Sequence, residues 1–178
     1  MRRSLFPTPT FAIKYAKLLK KYISKKILVR SAITSSMIGD GSYMIFLYQT
    51  FSNPKTFQGW LESYKDFGQF DQVLAMGPET IHALQQKSLM LFWIMAAGIL
   101  GTNLYNYFKF SAGSPKSITF MKQLGVLGAL FASITIFEAW DQGIVWFIWM
   151  IFMVPLYLYV FFSTLAVDPN LENHTYWN

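Results

Sequence analysis

The chain has 178 residues, of which 53% are hydrophobic, 19% are aromatic and only 13% are charged. Soluble domains usually carry about 25% charged residues, so the composition excludes an ordinary soluble domain and indicates an integral membrane protein. The chain has no cysteine, which excludes disulfides, thiolate metal sites and a cysteine nucleophile. The net charge is +6, but nine of the fifteen Lys and Arg residues lie in residues 1–30, which contain no acid. The basic character therefore belongs to the amino end and does not indicate a nucleic-acid-binding face.

The amino-terminal segment, residues 1–30, is predicted to form a basic amphipathic helix over residues 11–29. Its apolar face has residues at helical spacing, namely Tyr15, Leu18, Leu19, Tyr22 and Ile23. Lysines occupy the other face, namely Lys14, Lys17, Lys20, Lys21 and Lys25. Such a helix lies in an anionic membrane surface, where it can also act as a retained import signal. The expected phospholipid-binding residues of this helix are Lys14, Lys17, Lys21, Lys25 and Tyr22; the alternative is a partner-docking helix.

Four apolar segments are each close to the ~20 residues that a helix needs to cross the hydrocarbon layer. They are residues 31–51, 88–108, 118–140 and 143–162. The expected fold class is an all-α integral membrane protein with about four transmembrane helices and the N-terminal basic amphipathic interfacial helix. The transmembrane domain would cover residues 31–162, with an extramembrane loop at 52–87 and a polar C-terminal tail at 163–178.

The loop between the first two spans contains two helix-start signals. Asn53-Pro54 resembles a cap followed by proline at the first helical position, which predicts a short helix on the membrane or on a neighbour. Gly77-Pro78-Glu79 predicts a second, long helix that continues into the second span. The short turn AWDQG forces spans three and four into a tight hairpin, with Glu138 and Asp141 as solvated acids at its tip.

The charges of the loops predict the orientation. The amino segment and the connection at 109–123 are basic and acid-free, whereas the loop at 52–87 carries four acids. The positive-inside rule then places both termini on the matrix side, if the membrane is the mitochondrial inner membrane. Another organellar membrane is the alternative.

Asp40 lies between Gly39 and Gly41 within the first apolar segment. An ionisable residue inside a span is a functional hypothesis by default. Ser36 and Tyr43 share its helix face, so we expect a hydrogen-bonded polar site at a helix contact. Passage of a solute or proton at Asp40 is the alternative. An Ala…Gly-Asp run after a basic stretch resembles the first span of a small four-span family of peroxisomes and mitochondria, but the later motifs of that family do not follow, so the chain is not assigned to it.

Other residue types narrow the chemistry. Only two histidines occur, His82 and His174, and the predicted topology places them on opposite sides, so no bis-histidine haem or zinc site is expected. Trp146 and Trp149 in the fourth span are expected to contact lipid or another subunit. Small residues four apart, Ala97 with Gly101 and Gly125 with Ala129, predict close helix packing.

These features favour a non-catalytic accessory subunit of a large energy-transducing membrane complex, a respiratory-chain complex or the ATP synthase of mitochondria. Such a subunit would contribute assembly, stability and lipid contacts. Its partners would be other membrane subunits and anionic phospholipids, including cardiolipin, and it would hold no metal and no cofactor of its own. The alternative is a small oligomeric channel or carrier that uses Asp40.

Overall fold

The computed structural model describes residues 9–64, 70–75 and 77–171, and these residues contain helices and no strand. The described part of the chain forms seven helices. They are α1 (Thr10–Tyr22), α2 (Lys25–Ser52), α3 (Pro54–Ser63), α4 (Phe70–Ala75), α5 (Pro78–Ser111), α6 (Pro115–Gln142) and α7 (Ile144–Val167). The all-α fold predicted from the composition is confirmed.

The basic amino-terminal segment is two helices rather than the single helix predicted over 11–29. Ile23 has an extended backbone, with φ of −122° and ψ of 130°, and it ends α1. Ser24 then caps α2, where its side chain accepts a hydrogen bond from the Ile27 backbone amide at 3.4 Å. A serine with β backbone angles is a favoured helix start, so a separate helix begins at this point. The periodicity of the lysines continues across the break and conceals it.

Three of the described helices, α5, α6 and α7, are long and apolar enough to cross a membrane. The second helix is not among them, although it has 28 residues. Its sequence includes Asp40 and several serines, and these lower the average hydropathy of any window that contains them. The coarse prediction of a membrane protein with transmembrane helices is therefore supported for three helices.

The α6–α7 hairpin forms the centre of the bundle. Gly143, with a φ of 120°, separates the two helices by a single residue, as the AWDQG turn predicted. The helices approach closely at Gly125 because this residue has no side chain. A Cβ there would come within 2.7 Å of the Phe161 backbone nitrogen. Helix α2 packs against α7, and α5 packs against α2 and α6. Pro155 lies inside α7, which remains helical to Val167 instead of ending near residue 162.

Within the predicted loop at 52–87, helix α3 packs against α2 and α5. Asn53 caps α3 by accepting hydrogen bonds from the Lys55 and Thr56 amides at 3.0 and 3.4 Å, as its sequence predicted. Phe57 and Leu61 on α3 are fully buried, so one face of this helix packs on its own chain, and its contact with the membrane or a neighbour stays a prediction. The long helix predicted from Pro78 is confirmed, since α5 runs unbroken for 34 residues.

Candidate functional site

The candidate site is the carboxyl group of Asp40, which α2 places inside the bundle. The side chain is only 7% exposed. Three donors from two other helices reach it: Asn103 Nδ2 donates to Oδ2 at 2.7 Å, the Tyr107 hydroxyl donates to Oδ2, and the Tyr157 hydroxyl donates to Oδ1 at 3.0 Å. Asp40 is thus the point at which α2, α5 and α7 are joined by side-chain hydrogen bonds.

The chemistry of this junction follows from its partners. Each of the three contacts uses a carboxyl oxygen of Asp40 as the acceptor, and both oxygens are used. No basic side chain contacts Asp40 within the described ranges of the chain. The buried carboxyl group is therefore held by neutral donors rather than by an ion pair.

Two glycines allow Tyr157 to reach Asp40. A Cβ on Gly39 would come within 2.6 Å of the Tyr157 ring, and a Cβ on Gly128 would overlap the same ring. The tyrosine therefore lies in a slot between α2 and α6 that only residues without a side chain can form. The first glycine of the Gly-Asp-Gly run serves this slot, whereas Gly41 faces open space.

The structure only partly reproduces the polar site expected from the sequence. Ser36 is fully buried, but its hydroxyl donates to the Ala32 carbonyl at 3.0 Å. Tyr43 is half-buried, and its ring lies 6.5 Å from that of Phe46. Neither side chain is hydrogen-bonded to Asp40, and the Ser36 hydroxyl is bonded to the backbone of its own helix instead. The prediction that Asp40 forms a hydrogen-bonded helix contact agrees with the geometry, but its partners lie elsewhere.

Sequence reasoning missed Tyr107 and Tyr157 as ligands of the carboxylate. Both lie in strongly apolar segments that contain many aromatic residues, so neither is distinguished by its neighbours in the sequence. One signal was present: Asn103 and Tyr107 are four apart on α5 and therefore share a helix face. A buried acid needs several hydrogen-bond donors. A pair of polar residues four apart inside another span is a candidate for supplying them.

A second polar cluster lies at the end of the bundle that carries the α6–α7 turn. The Tyr64 hydroxyl, just after α3, donates to Glu138 near the end of α6. This hydrogen bond, together with burial and the negative charge of Glu138, raises the pKa of Tyr64 to about 12. Glu138 was expected to be a solvated hairpin acid, but it is half-buried and fastens the loop to α6. Asp141 is exposed, as expected.

The residues expected to bind lipid are divided between the surface and the interior. Lys14, Lys17, Lys21 and Lys25 are all exposed, and Tyr22 is 72% exposed. Trp149 is exposed on α7. Trp146 is only half-exposed, because its indole NH donates to Gln49 Oε1 at 2.8 Å and its ring packs edge-on against Phe46. Trp146 thus contacts α2, and its contact with lipid or another subunit stays a prediction.

The opposite end of the bundle holds an ion pair and two hydroxyl groups without partners. Lys122 Nζ lies 2.7 Å from Asp168 Oδ2, and both side chains are largely covered. Ser163 and Thr164, on the last turns of α7, are fully buried. Within the described residues no group is hydrogen-bonded to either hydroxyl. This end also carries the lysines of α1, so the charge asymmetry of the sequence becomes an asymmetry between the two ends of the bundle.

The histidines do not form a site in the described part of the chain. His82 is exposed on α5, and His174 lies outside the described residues. No group of three His, Asp or Glu side chains that could hold a metal ion occurs among the described residues.

The chain matches no protein-family model, and comparison with curated proteins and with solved structures found no match.

Proposed function

We propose that this chain is a non-catalytic structural subunit of a larger membrane complex. The observation that carries the proposal is the use of Asp40. Its two carboxyl oxygens accept hydrogen bonds from Asn103, Tyr107 and Tyr157, so the buried acid fastens three helices together. Removal of this acceptor would leave three buried donors unpaired and would destabilise the packing of the helices. A side chain on which the packing depends in this way fits a structural role.

The proposal includes α2 as a fourth span. The exposed residues along its middle are mostly apolar, namely Met37, Ile38, Ile45 and Tyr48. Its polar residues are turned inward, including Ser36, Asp40 and Ser42. A helix of 28 residues is about 42 Å long, which exceeds the ~30 Å hydrocarbon layer. Average hydropathy underestimates a span of this kind, because the polar residues that lower the average would not face lipid.

Contact with other subunits is proposed for α5. Large side chains on this helix are exposed, including Trp93 at 58% and Phe108 at 71%. Gly98 and Gly101 have no atom near the position of a Cβ, so the helix offers both bulky and flat surface to a neighbour. Lipid would cover these residues equally well, and for this reason the experiment below measures assembly directly.

The more specific part of the proposal is a respiratory-chain complex or the ATP synthase of the mitochondrial inner membrane, with both termini in the matrix. It is supported by the acid-free basic amino end, which suits both an import signal and the positive-inside rule. Structural phospholipids, including cardiolipin, are proposed at the lysines of α1. No activity as an enzyme is proposed.

The test is extraction of the native membrane in mild detergent, separation on a native gel, and mass spectrometry of the band that contains this chain. We expect a large band that also contains respiratory-chain or ATP-synthase subunits. The Asp40→Leu variant is expected to be lost from that band, whereas Gly41→Ala, next to it but facing open space, is expected to remain. Migration of the chain alone or as a small homo-oligomer would overturn the proposal.

A channel or carrier that uses Asp40 is the second candidate, and one feature of α5 favours it. A surface groove of about 380 Å³ is lined by Met95, Gly98, Ile99, Thr102 and Asn103. Asn103 therefore connects the outer surface of α5 to the buried carboxylate. Normal assembly of Asp40→Asn together with loss of flux in reconstituted vesicles would support this candidate, and loss of assembly would count against it.

A further inference from the structure

The helix α1 has two apolar faces, of which only one is used inside the protein. Ala12, Ile13 and Ala16 are at most 1% exposed and belong to a core cluster that includes Val160 and Leu165 of α7. This face differs from the apolar face expected from the sequence. Ala12 and Ala16 have short side chains, so this face allows α1 to approach α7 closely.

The second apolar face is a stripe of four exposed residues, Phe11, Tyr15, Leu18 and Tyr22. They are 67%, 47%, 53% and 72% exposed, respectively. At about 100° per residue, all four lie within about 60° of one another around the helix axis. The spacing of four, three and four residues is that of a continuous helical face, and we call these four residues the aromatic stripe.

The charges around the aromatic stripe indicate its partner. Lys14, Lys17, Lys20 and Lys21 are exposed on the remaining side of α1. The first acid in the chain is Asp40, so none of the first 39 residues carries a negative side chain that would repel an anionic surface. An apolar stripe beside exposed lysines is the arrangement by which an amphipathic helix binds a monolayer that contains anionic phospholipid.

The aromatic stripe is also continuous with a helix that is apolar enough to cross the membrane. The ring of Phe162 on α7 lies 4.8 Å from the ring of Tyr15 and 6.4 Å from that of Phe11. Since α7 is one of the three helices that satisfy the criteria for a span, this contact places α1 beside the carboxyl-terminal end of a membrane helix. A surface at that position meets the boundary between headgroups and acyl chains.

We propose that α1 binds the anionic phospholipid monolayer with the aromatic stripe among the acyl chains and Lys14, Lys17 and Lys21 among the headgroups. This inference rests on the membrane location within the function proposed above, but not on membership of a large complex. Tyr15 and Tyr22 anchor the helix at the interfacial depth where Tyr is favoured, and Phe11 and Leu18 enter the acyl region. The lysines select anionic lipid, with each lysine near such a surface contributing on the order of fivefold.

The absence of cysteine permits a direct test with the full chain in lipid nanodiscs. A bimane label is placed by Leu18→Cys on the aromatic stripe and, as the matched control, by Lys17→Cys on the neighbouring basic face. Both positions are exposed, so neither substitution opens a cavity. We expect quenching of the label at position 18 by lipids with brominated acyl chains, and stronger quenching at position 17 by aqueous iodide.

Headgroup preference is measured in the same nanodiscs. Brominated phosphatidylglycerol and brominated phosphatidylcholine are compared in mixed bilayers, and the phosphatidylglycerol is expected to quench position 18 several-fold more at equal content. In a Lys14→Gln, Lys17→Gln, Lys21→Gln variant the preference should disappear while quenching by bromine remains. Quenching of position 18 by iodide and not by brominated lipid would overturn the proposal. Equal quenching by both lipids in the parent chain would overturn the anionic selection. Both results are independent of the native gel.

Discussion

The hydroxyl of Tyr157 donates to Asp40 Oδ1 at 3.0 Å after its ring has passed between Gly39 and Gly128. The two residues are 117 positions apart, and they connect α2 with α7. The contact needs the acid, the phenol and both glycines together, since the glycines provide the space that the ring occupies. It therefore offers several independent ways to test the junction.

Removal of the acid is expected to be the most damaging single change at the junction. Asp40→Leu leaves Asn103, Tyr107 and Tyr157 without their acceptor, which should lower the free energy of unfolding by about 2–4 kcal/mol. Tyr157→Phe removes one donor and keeps the ring, so a loss of about 1 kcal/mol is expected, as is typical of hydrogen bonds within membrane proteins. Unfolding in a denaturing detergent, followed by tryptophan fluorescence, measures both values. An equal effect of the two substitutions would contradict the joining role of Asp40.

The slot predicts a strong distinction between glycines. Gly128→Ala should destabilise the chain by about 1–3 kcal/mol, because the new methyl group would overlap the Tyr157 ring. Gly101→Ala is the matched control, since Gly101 is also helical and faces open space. The control should have no destabilising effect on the isolated chain. Thermal unfolding of both variants in one detergent compares them, and an equal loss of stability would show that the slot is not closed around the ring.

The contact of Tyr64 with Glu138 predicts a response at high pH. The raised pKa of Tyr64, about 12 instead of 10.0, means that the folded chain favours the neutral phenol. The contribution of this contact to stability is therefore complete below pH 10 and is lost as the pH rises through about 12. The absorbance of tyrosinate is measured against pH for the parent chain and for Tyr64→Phe. The variant should lack one transition near pH 12.

Glu138→Gln is the control for the titration of Tyr64. It removes the negative charge that disfavours the tyrosinate, so the pKa of Tyr64 should fall toward its ordinary value of 10.0. An unchanged transition in Glu138→Gln would mean that burial, and not the carboxylate, sets the pKa of this phenol.

The two buried hydroxyl groups near the end of α7 should tolerate replacement by apolar groups. Ser163→Ala and Thr164→Val remove hydroxyls that have no hydrogen-bond partner within the described residues. Since no partner is left unsatisfied, the free energy of unfolding should stay the same or rise by up to about 1 kcal/mol. Thermal unfolding of each variant measures this change.

Thr135→Val provides the contrast, because the Thr135 hydroxyl donates to the Phe131 carbonyl at 2.9 Å. It should be less well tolerated than Thr164→Val. A loss above about 1 kcal/mol in Thr164→Val would show instead that this hydroxyl is paired, for example with a buried water molecule.

Several features of the fold could be predicted from local sequence. The cap at Asn53, the start of α5 at Pro78 and the turn at Gly143 depend on residues that are adjacent in the chain, and each lies where the sequence predicted it. The break at Ile23 was missed, because the spacing of the lysines continues through it. The fourth span stays a proposal, since Asp40 and the serines of α2 lower its average hydropathy.

The sequence by itself determined the helical class and the apolar helices and singled out Asp40 as a candidate, because composition, periodicity and an acid in an apolar segment are properties of consecutive residues. Only the tertiary structure decided which donors reach Asp40 and which face of α1 is buried. Tyr107 and Tyr157 resemble the other aromatic residues of their helices, and only helix packing turns them toward the carboxylate. Likewise, the packing of α1 against α7 buries Ala12, Ile13 and Ala16 and leaves the aromatic stripe exposed.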